Sequence, residues 1–173
     1  MVEPHLRKGG GSMNIIAIDP GDVQSAILVW NGQQIDSARI IPNNEVRDAL
    51  SALTWADTPP LLAIEMVACY GMPVGKTIFE TVLRTGRFVE LWHPNPCRLV
   101  YRREVKMHHC GNMHAKDANI SQSLRDKYGE KGTKKTPGLT YGLKEDLWSA
   151  FAIATFISKS EKIASQQPNL IPA

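Results

Sequence analysis

The feature that most constrains the fold is an apolar run that ends in a carboxylate. Residues Asn14–Ile18 have the composition of a buried strand, and Asp19 follows directly, before Pro20 and Gly21 break the run. A carboxylate beside a core costs free energy unless something binds it. The run therefore predicts a strand whose last residue has a binding partner, and a metal ion is one such partner.

Two further acids follow or interrupt apolar segments. Glu65 lies in the predicted strand Leu61–Met66, and Asp146 lies in the first turn of the last predicted helix, Leu143–Lys159. Packing of this helix on the sheet would bring Asp146 to the strand ends, where converging acids raise one another's pKa. Oxygen ligands favour two Mg²⁺ ions, with Mn²⁺ as a substitute, and such a pair hydrolyses phosphodiesters. From spacing alone, three unrelated surface acids are an equally open interpretation.

The remaining pattern predicts the order β-β-β-α-β-α-β-α-α-α. The first three strands, Asn14–Ile18, Gln24–Trp30 and Gln34–Ile41, form an antiparallel meander with Asn31-Gly32 as a hairpin turn. Two more strands are predicted at Leu61–Met66 and Phe88–Trp92. Helices are predicted at Glu45–Trp55, Lys76–Thr85 (closed by Gly86), Cys97–Lys106, Ala115–Tyr128 and Leu143–Lys159, and loops at His108–His114 and Gly129–Gly142. This order predicts an α/β domain with a mixed five-stranded sheet and helices on both faces.

The two ends of the chain differ from this pattern. Residues 1–12 are polar and end in Gly-Gly-Gly-Ser before Met13, so we interpret them as an expression leader, with a natural basic arm as the alternative. Residues 13–160 are predicted to form one domain, and residues 161–173 a flexible tail.

Charge and cysteine content give weaker indications. The net charge of +3 does not by itself argue for nucleic acid, but basic clusters lie at Arg98–Lys106 and Arg125–Lys135. Such clusters suit a phosphate-facing surface or, alternatively, a solvated face. Three widely spaced cysteines without a CxxC pair predict reduced thiols and a cytoplasmic protein, in a bacterial or phage-infected cell. No apolar run approaches 18 residues, so we expect no membrane partner.

Two segments resemble known ligand-binding motifs but do not have the required spacing. The segment "GMPVGKT" at Gly71–Thr77 has three residues between its glycines where a phosphate-binding loop needs four, so we expect no nucleotide cofactor. The segment "HHCGNMH" offers His108, His109, Cys110 and His114, whose spacing fits no common closed zinc site. We expect a DNA-facing loop there.

Four segments, taken in order, resemble the RuvC-like Holliday junction resolvases of the RNase H-like superfamily, in particular the phage-type branch. These are "IIAIDPG", "LLAIEMVACYGMPVGKT", "EVKMHHCGNMHAKDANI" and "YGLKEDLWSAFAIA", and the resemblance covers Asn14 to about Lys159. The resemblance implies a homodimer that cuts four-way DNA junctions with two Mg²⁺ ions. Asp19, Glu65 and Asp146 fall on the family's acidic positions, and Lys106 and Lys116 on lysines that contact phosphate.

The resemblance also implies roles for neighbouring residues. Lys116 would be catalytic with the three acids. The resemblance implies phosphate contacts from Lys106 and Lys116. The basic clusters and the loop after Glu65 predict further DNA contacts from Arg102, Arg103, Lys134, Lys135 and Lys76. The bacterial resolvases carry a fourth acid where this chain has Ser149. Ser149 would complete the metal shell through a water, or Glu145, Asp117 or Asp22 would supply the missing charge. The stripe Phe79–Val82–Leu83 packs either in the core or at the dimer interface.

The sequence thus predicts a metal-dependent endonuclease for branched DNA. Two other functions stay open. One is an RNase H-like nuclease for flaps or RNA–DNA hybrids. The other is a non-catalytic module that binds branched DNA, for which Ser149 would be a sign of lost activity.

Overall fold

A computed structural model describes residues 14–166, with side chains as far as residue 161. The chain forms one mixed five-stranded sheet with helices on both faces, which confirms the predicted fold class. The strands are β1 (Ile15–Asp19), β2 (Gln24–Trp30), β3 (Ile35–Pro42), β4 (Leu61–Met66) and β5 (Cys97–Tyr101). The helices are α1 (Asn43–Thr54), α2 (Lys76–Trp92), α3 (Arg102–Cys110), α4 (Asp117–Tyr128) and α5 (Leu147–Gln166).

Strand β1 lies at the centre of the sheet, whose order is β3-β2-β1-β4-β5. It pairs antiparallel with β2 and parallel with β4. The Asn31-Gly32 turn connects β2 to β3, and these two strands also pair antiparallel, as the predicted hairpin requires. Strand β4 in turn pairs parallel with β5. Because helices cover both faces of the sheet, a continuous apolar sequence is expected in its central strand.

The two faces of β1 enter two separate cores. Ile16 and Ile18 pack in a cluster with residues of α1 and α2, including Leu50 and Trp92. Ala17 belongs to the opposite cluster, which contains residues of α3, α4 and α5. Successive side chains of a strand point to opposite faces. Asp19 therefore points to the same face as Ala17, towards α5.

The predicted fifth strand at Phe88–Trp92 is wrong. Helix α2 continues past Gly86 to Trp92, because Phe88 and Trp92, one helical turn apart, are both buried against the sheet. Burial of two large aromatic side chains outweighs the cost of a glycine within a helix, about 1 kcal/mol. The Trp92 indole N–H also donates to the Pro96 carbonyl at 3.0 Å, at the start of the turn into β5.

The predicted helix at Cys97–Lys106 is wrong in its first half, which forms β5. Only Val100 of this strand is buried, so its sequence lacks the apolar signal of β1 and β4. Helix α3 starts at Arg102 and extends to Cys110, which places His108 and His109 on a helix instead of in the predicted loop.

The last helix also differs from its predicted bounds. It begins at Leu147, so Asp146 precedes the helix and its carbonyl accepts a hydrogen bond from the Ala150 N–H at 3.0 Å. It ends at Gln166, beyond residue 161, where the tail was predicted to start. The predicted leader and residues 167–173 lie outside the described residues. Within residues 14–166, no helix is long and apolar enough to span a membrane.

Candidate active site

The carboxyl ends of β1 and β4 place Asp19 and Glu65 side by side. Ile18 of β1 and Ile64 of β4 form the last residue pair between these two parallel strands. Asp19 and Glu65 are the next residues of the two strands. Both side chains are largely buried. The negative charge of Glu65 is the second largest cause, after burial, of the raised pKa of Asp19.

Helix α5 brings Asp146 and Ser149 towards this pair. Burial and the charges of Glu65 and Asp146 raise the pKa of Asp19 to about 7. The Arg102 charge and a hydrogen bond from the Ser149 hydroxyl act in the opposite direction and lower it. Asp146 itself is exposed, and its effect on Asp19 is the smallest of these. Among the described side chains, no group of three His, Cys, Asp or Glu residues lies close enough together to hold a metal ion. The three acids therefore share one end of the sheet without forming a closed cage.

Arg102 lies among these acids. It was predicted to contact DNA, but its guanidinium is paired with carboxylates: Nη1 is 3.0 Å from Glu65 Oε2, and Nη2 is 2.8 Å from Asp117 Oδ1. Burial alone would lower the pKa of Arg102, but Glu65 and Asp117 together raise it above its ordinary value. Burial raises the pKa of Glu65 although the Arg102 charge and hydrogen bond oppose this. The pair is thus a buried ion pair at the centre of the candidate site.

Two lysines border the acids differently. Lys106 Nζ lies 3.8 Å from Asp117 Oδ1 and is mostly buried. Lys116, at the residue before α4, is exposed and forms no ion pair with any described residue. Its backbone N–H donates to Asn119 Oδ1 at 2.9 Å, which fixes the start of the helix. Of these two lysines, Lys116 is the one without a carboxylate partner among the described residues.

The other predicted DNA-contacting cations lie on exposed segments. Arg103 stacks on the Tyr70 ring, with its guanidinium carbon 3.4 Å from the ring centroid. Lys76 pairs with Glu80 on α2 at 3.5 Å. Lys134 and Lys135 lie at the tip of a turn closed by the bridge between Gly132 and Pro137. The predicted loop thus has local structure, with two lysines presented at its end.

Trp148 lies at this site although no sequence pattern indicates it. Trp148 borders a cavity of about 320 Å³ that is also lined by Arg102, Asp117, Asp146 and Ser149. The Arg125 guanidinium and the Lys131 ammonium lie 5.4 and 5.5 Å from the Trp148 ring. Both cations come from segments distant in sequence, so the local sequence contains no signal for this cluster.

The histidines considered for zinc do not surround a common point. The His108 and His109 rings meet edge to face, with centroids 4.7 Å apart, and His109 Nε2 lies 2.9 Å from the Ala152 carbonyl. Burial, followed by the neighbouring His109, lowers the pKa of His108 to about 4. The pair therefore packs as neutral rings against α5.

This architecture is shared with a resolvase structure. Thermus thermophilus RuvC superimposes with a TM-score of 0.68 and 15% sequence identity, over 88% of this chain and 97% of that chain. The chain has the fold of RuvC. The T. thermophilus RuvC structure in complex with a Holliday junction substrate superimposes with a TM-score of 0.66 and 15% sequence identity, again over 88% of this chain and 97% of that chain. No family model and no curated protein matches the sequence. The RuvC resemblance is thus confirmed for the fold, and the phage-type branch stays a prediction.

Proposed function

We propose that this protein is a metal-dependent endonuclease that hydrolyses phosphodiesters in branched DNA, with four-way junctions as its substrate. The observation that carries the proposal is the pair of buried acids, Asp19 and Glu65, at adjacent strand ends beneath α5. The RuvC fold supports the substrate class, because T. thermophilus RuvC has been solved with a Holliday junction substrate.

The donor chemistry of the site fits a divalent cation. Asp19, Glu65 and Asp146 would hold Mg²⁺ or Mn²⁺ through oxygen atoms, the ligands these ions prefer. Burial raises the pKa values of Asp19 and Glu65 although Arg102 opposes this, so a bound cation would favour the ionised form of both acids. When bound, the ion would supply charge stabilisation and an activated water for attack on the phosphodiester.

The chain's own cations would position the substrate. Lys116, which is exposed and directly precedes α4, would offset charge that develops on the scissile phosphate. Lys134 and Lys135, at the tip of their turn, and Arg103, over Tyr70, would contact the flanking phosphate backbone. These contacts set the orientation of the DNA, whereas Lys116 acts at the reacting group.

A homodimer is the second part of the proposal. Phe79 and Leu83 lie one turn apart on α2 and are 65% and 57% exposed, and Val82 is also exposed. The stripe is therefore not part of the core of one chain. A two-fold dimer through this face would cover the stripe and give two sites for the two strands of a junction.

One experiment separates the proposal from its alternatives. The protein is incubated, with and without Mg²⁺, with each of four labelled substrates: a four-way junction, a flap, an RNA–DNA hybrid and a plain duplex. We expect Mg²⁺-dependent cleavage of the junction above all, loss of cleavage in Asp19→Asn, and intact junction binding by that variant. Asp48→Asn is the matched control, because Asp48 is an exposed acid of α1 whose partner is the adjacent Arg47 at 3.5 Å.

Each other outcome assigns a different function. Preferential cleavage of the flap or the hybrid would indicate the RNase H-like alternative. Tight junction binding without cleavage in either Mg²⁺ or Mn²⁺ would indicate a binding module, in which Ser149 marks the loss of a metal ligand. Cleavage by Asp19→Asn at the wild-type rate would refute the site.

A further inference from the structure

The segment between α4 and α5 contains a hairpin, residues 131–138, that is held together by its own hydrogen bonds. Gly132 and Pro137 form an antiparallel bridge, and the Gly138 N–H donates to the Lys131 carbonyl at 2.8 Å. A Cβ atom at Gly138 would overlap the backbone of the opposite segment, so glycine is what allows the two segments to approach this closely. The hairpin is thus formed before any partner binds.

The hairpin is anchored at its base and exposed at its tip. Thr140, which follows it, is fully buried, and its hydroxyl donates to the Gly129 carbonyl at 3.4 Å. Residues 129–137 are all exposed, and Lys134 and Lys135 lie at the tip. Two ammonium groups on an exposed turn suit the phosphate backbone of DNA, which is bound through charge and without base specificity.

Trp148 connects this hairpin to the candidate active site. The Lys131 ammonium, at the start of the hairpin, lies 5.5 Å from the centre of the Trp148 ring, and the Arg125 guanidinium of α4 lies 5.4 Å from it. Arg125 in turn lies 4.0 Å from the carboxylate of Glu130, the residue before the hairpin. Cations at this distance from an aromatic ring are attracted to it. Because Trp148 directly precedes Ser149 on α5, these contacts join the hairpin base to the helix that borders the acids.

We infer that the hairpin binds the DNA backbone beside the cleavage site, and that Trp148 is the positioning residue that holds the hairpin in its binding orientation. Lys134 and Lys135 supply the charge. The Trp148 contacts reduce the conformational freedom that the hairpin loses on binding, and an element ordered in advance binds more tightly than one that must be ordered. The inference rests on the proposed function and adds to it a residue that acts through the hairpin.

Junction binding in EDTA tests this without any measurement of cleavage. A labelled four-way junction is titrated with the full chain at several salt concentrations. The double variant Lys134→Ala/Lys135→Ala should bind more weakly and reduce the slope of log affinity against log salt by about two, because two phosphate contacts are lost. Trp148→Leu should weaken binding about two- to fivefold with an unchanged slope, because it removes an aromatic ring and no charge. Trp148→Phe keeps a ring and should bind like the wild type.

A double-mutant cycle separates positioning from a general structural effect. If Trp148 acts through the hairpin, Trp148→Leu should cause little further loss of affinity when the two tip lysines are already alanine. An effect exerted through a disturbed active site would instead add in full. The control Arg39→Ala/Arg47→Ala removes two exposed arginines, from β3 and α1, and should keep the wild-type affinity and salt slope.

Thermal unfolding of all variants establishes that they are folded. Should Trp148→Leu not fold, Lys131→Met takes its place in the cycle, because it removes the hairpin cation from the same ring. Lys131→Arg is its matched control, since arginine keeps the charge and also stacks on aromatic rings.

The outcomes distinguish the inference from the proposed function. Wild-type affinity and salt slope in the double lysine variant would overturn the hairpin as a DNA-binding element. Full additivity of Trp148→Leu with the lysine substitutions would overturn the positioning role. Both results leave the proposed nuclease standing if the wild type cleaves junctions. A wild-type protein that does not bind the junction would instead refute the proposed function, and with it this inference.

Discussion

Replacement of Asp19 by asparagine should stabilise the metal-free protein at neutral and alkaline pH. The pKa of Asp19 in the folded chain is about 7, compared with 3.8 for an unperturbed aspartate, mainly because the side chain is buried and secondly because Glu65 is close. The folded chain therefore keeps this proton up to about pH 7, whereas the unfolded chain releases it near pH 3.8. Stability consequently falls as the pH rises between these values.

The magnitude follows from the difference between the two pKa values. At 1.36 kcal/mol per pH unit, the full shift corresponds to about 4 kcal/mol of lost stability above pH 7. Asparagine carries no charge and avoids this cost. We expect Asp19→Asn to exceed the wild type by a few kcal/mol at pH 8 and to approach it at pH 4.

Urea denaturation in EDTA at pH 4, 5.5, 7 and 8.5 measures this difference. His108 and His109 titrate in both proteins, with pKa values lowered by burial, so the comparison between the two proteins isolates Asp19. Asp48→Asn is the control and should follow the wild type at every pH. Addition of Mg²⁺ should raise the unfolding free energy of the wild type at pH 8 but not that of Asp19→Asn. Equal unfolding free energies of Asp19→Asn and the wild type from pH 4 to pH 8.5 would refute the reasoning.

Three further predictions concern other parts of the molecule. Lys116→Ala should slow single-turnover junction cleavage more than it weakens junction binding, whereas Lys134→Ala should mainly weaken binding. Equal cleavage rates for Lys116→Ala and the wild type would show that Lys116 has no role in the reaction. Gly86→Ala should raise the unfolding free energy by about 1 kcal/mol, since Gly86 is exposed within α2 and an added methyl group meets no atom within 4 Å. A lower unfolding free energy in this variant would contradict a helix that continues through Gly86. Phe79→Asp should convert a dimer into a 19.2 kDa monomer in light scattering, whereas the control Trp55→Asp, at another exposed aromatic residue, should not. A wild-type protein that is monomeric and still cleaves junctions fully would refute the proposed dimer.

The sequence predicts most of the strand order because the buried strands carry strong local signals. Strands β1, β2 and β4 are within a residue of their predicted bounds, since each is an apolar run ended by turn residues. The run Phe88–Trp92 is compatible with either a strand or a helix end, and only its packing against the sheet decides for the helix. Strand β5 buries a single side chain, Val100, so its sequence gives no pattern from which to predict it.

The acids of the site were predictable for the same local reason. Asp19 and Glu65 each follow an apolar strand, and parallel neighbours in register bring such residues together. The pairings of Arg102 were not predictable, because its partners Glu65 and Asp117 come from β4 and α4 and no local spacing connects them.

The position of β5 explains how Arg102 reaches the acids. On the predicted helix at Cys97–Lys106, Arg102 would have lain on a helix surface, available to DNA. Instead β5 pairs parallel with β4 so that Val100 lies opposite Glu65, and Arg102 follows Val100 by two residues at the same edge of the sheet. Three parallel strands therefore end at one edge, where two contribute acids and the third is followed by an arginine. An arginine in that position supplies fixed positive charge to the acids of β4 and α4.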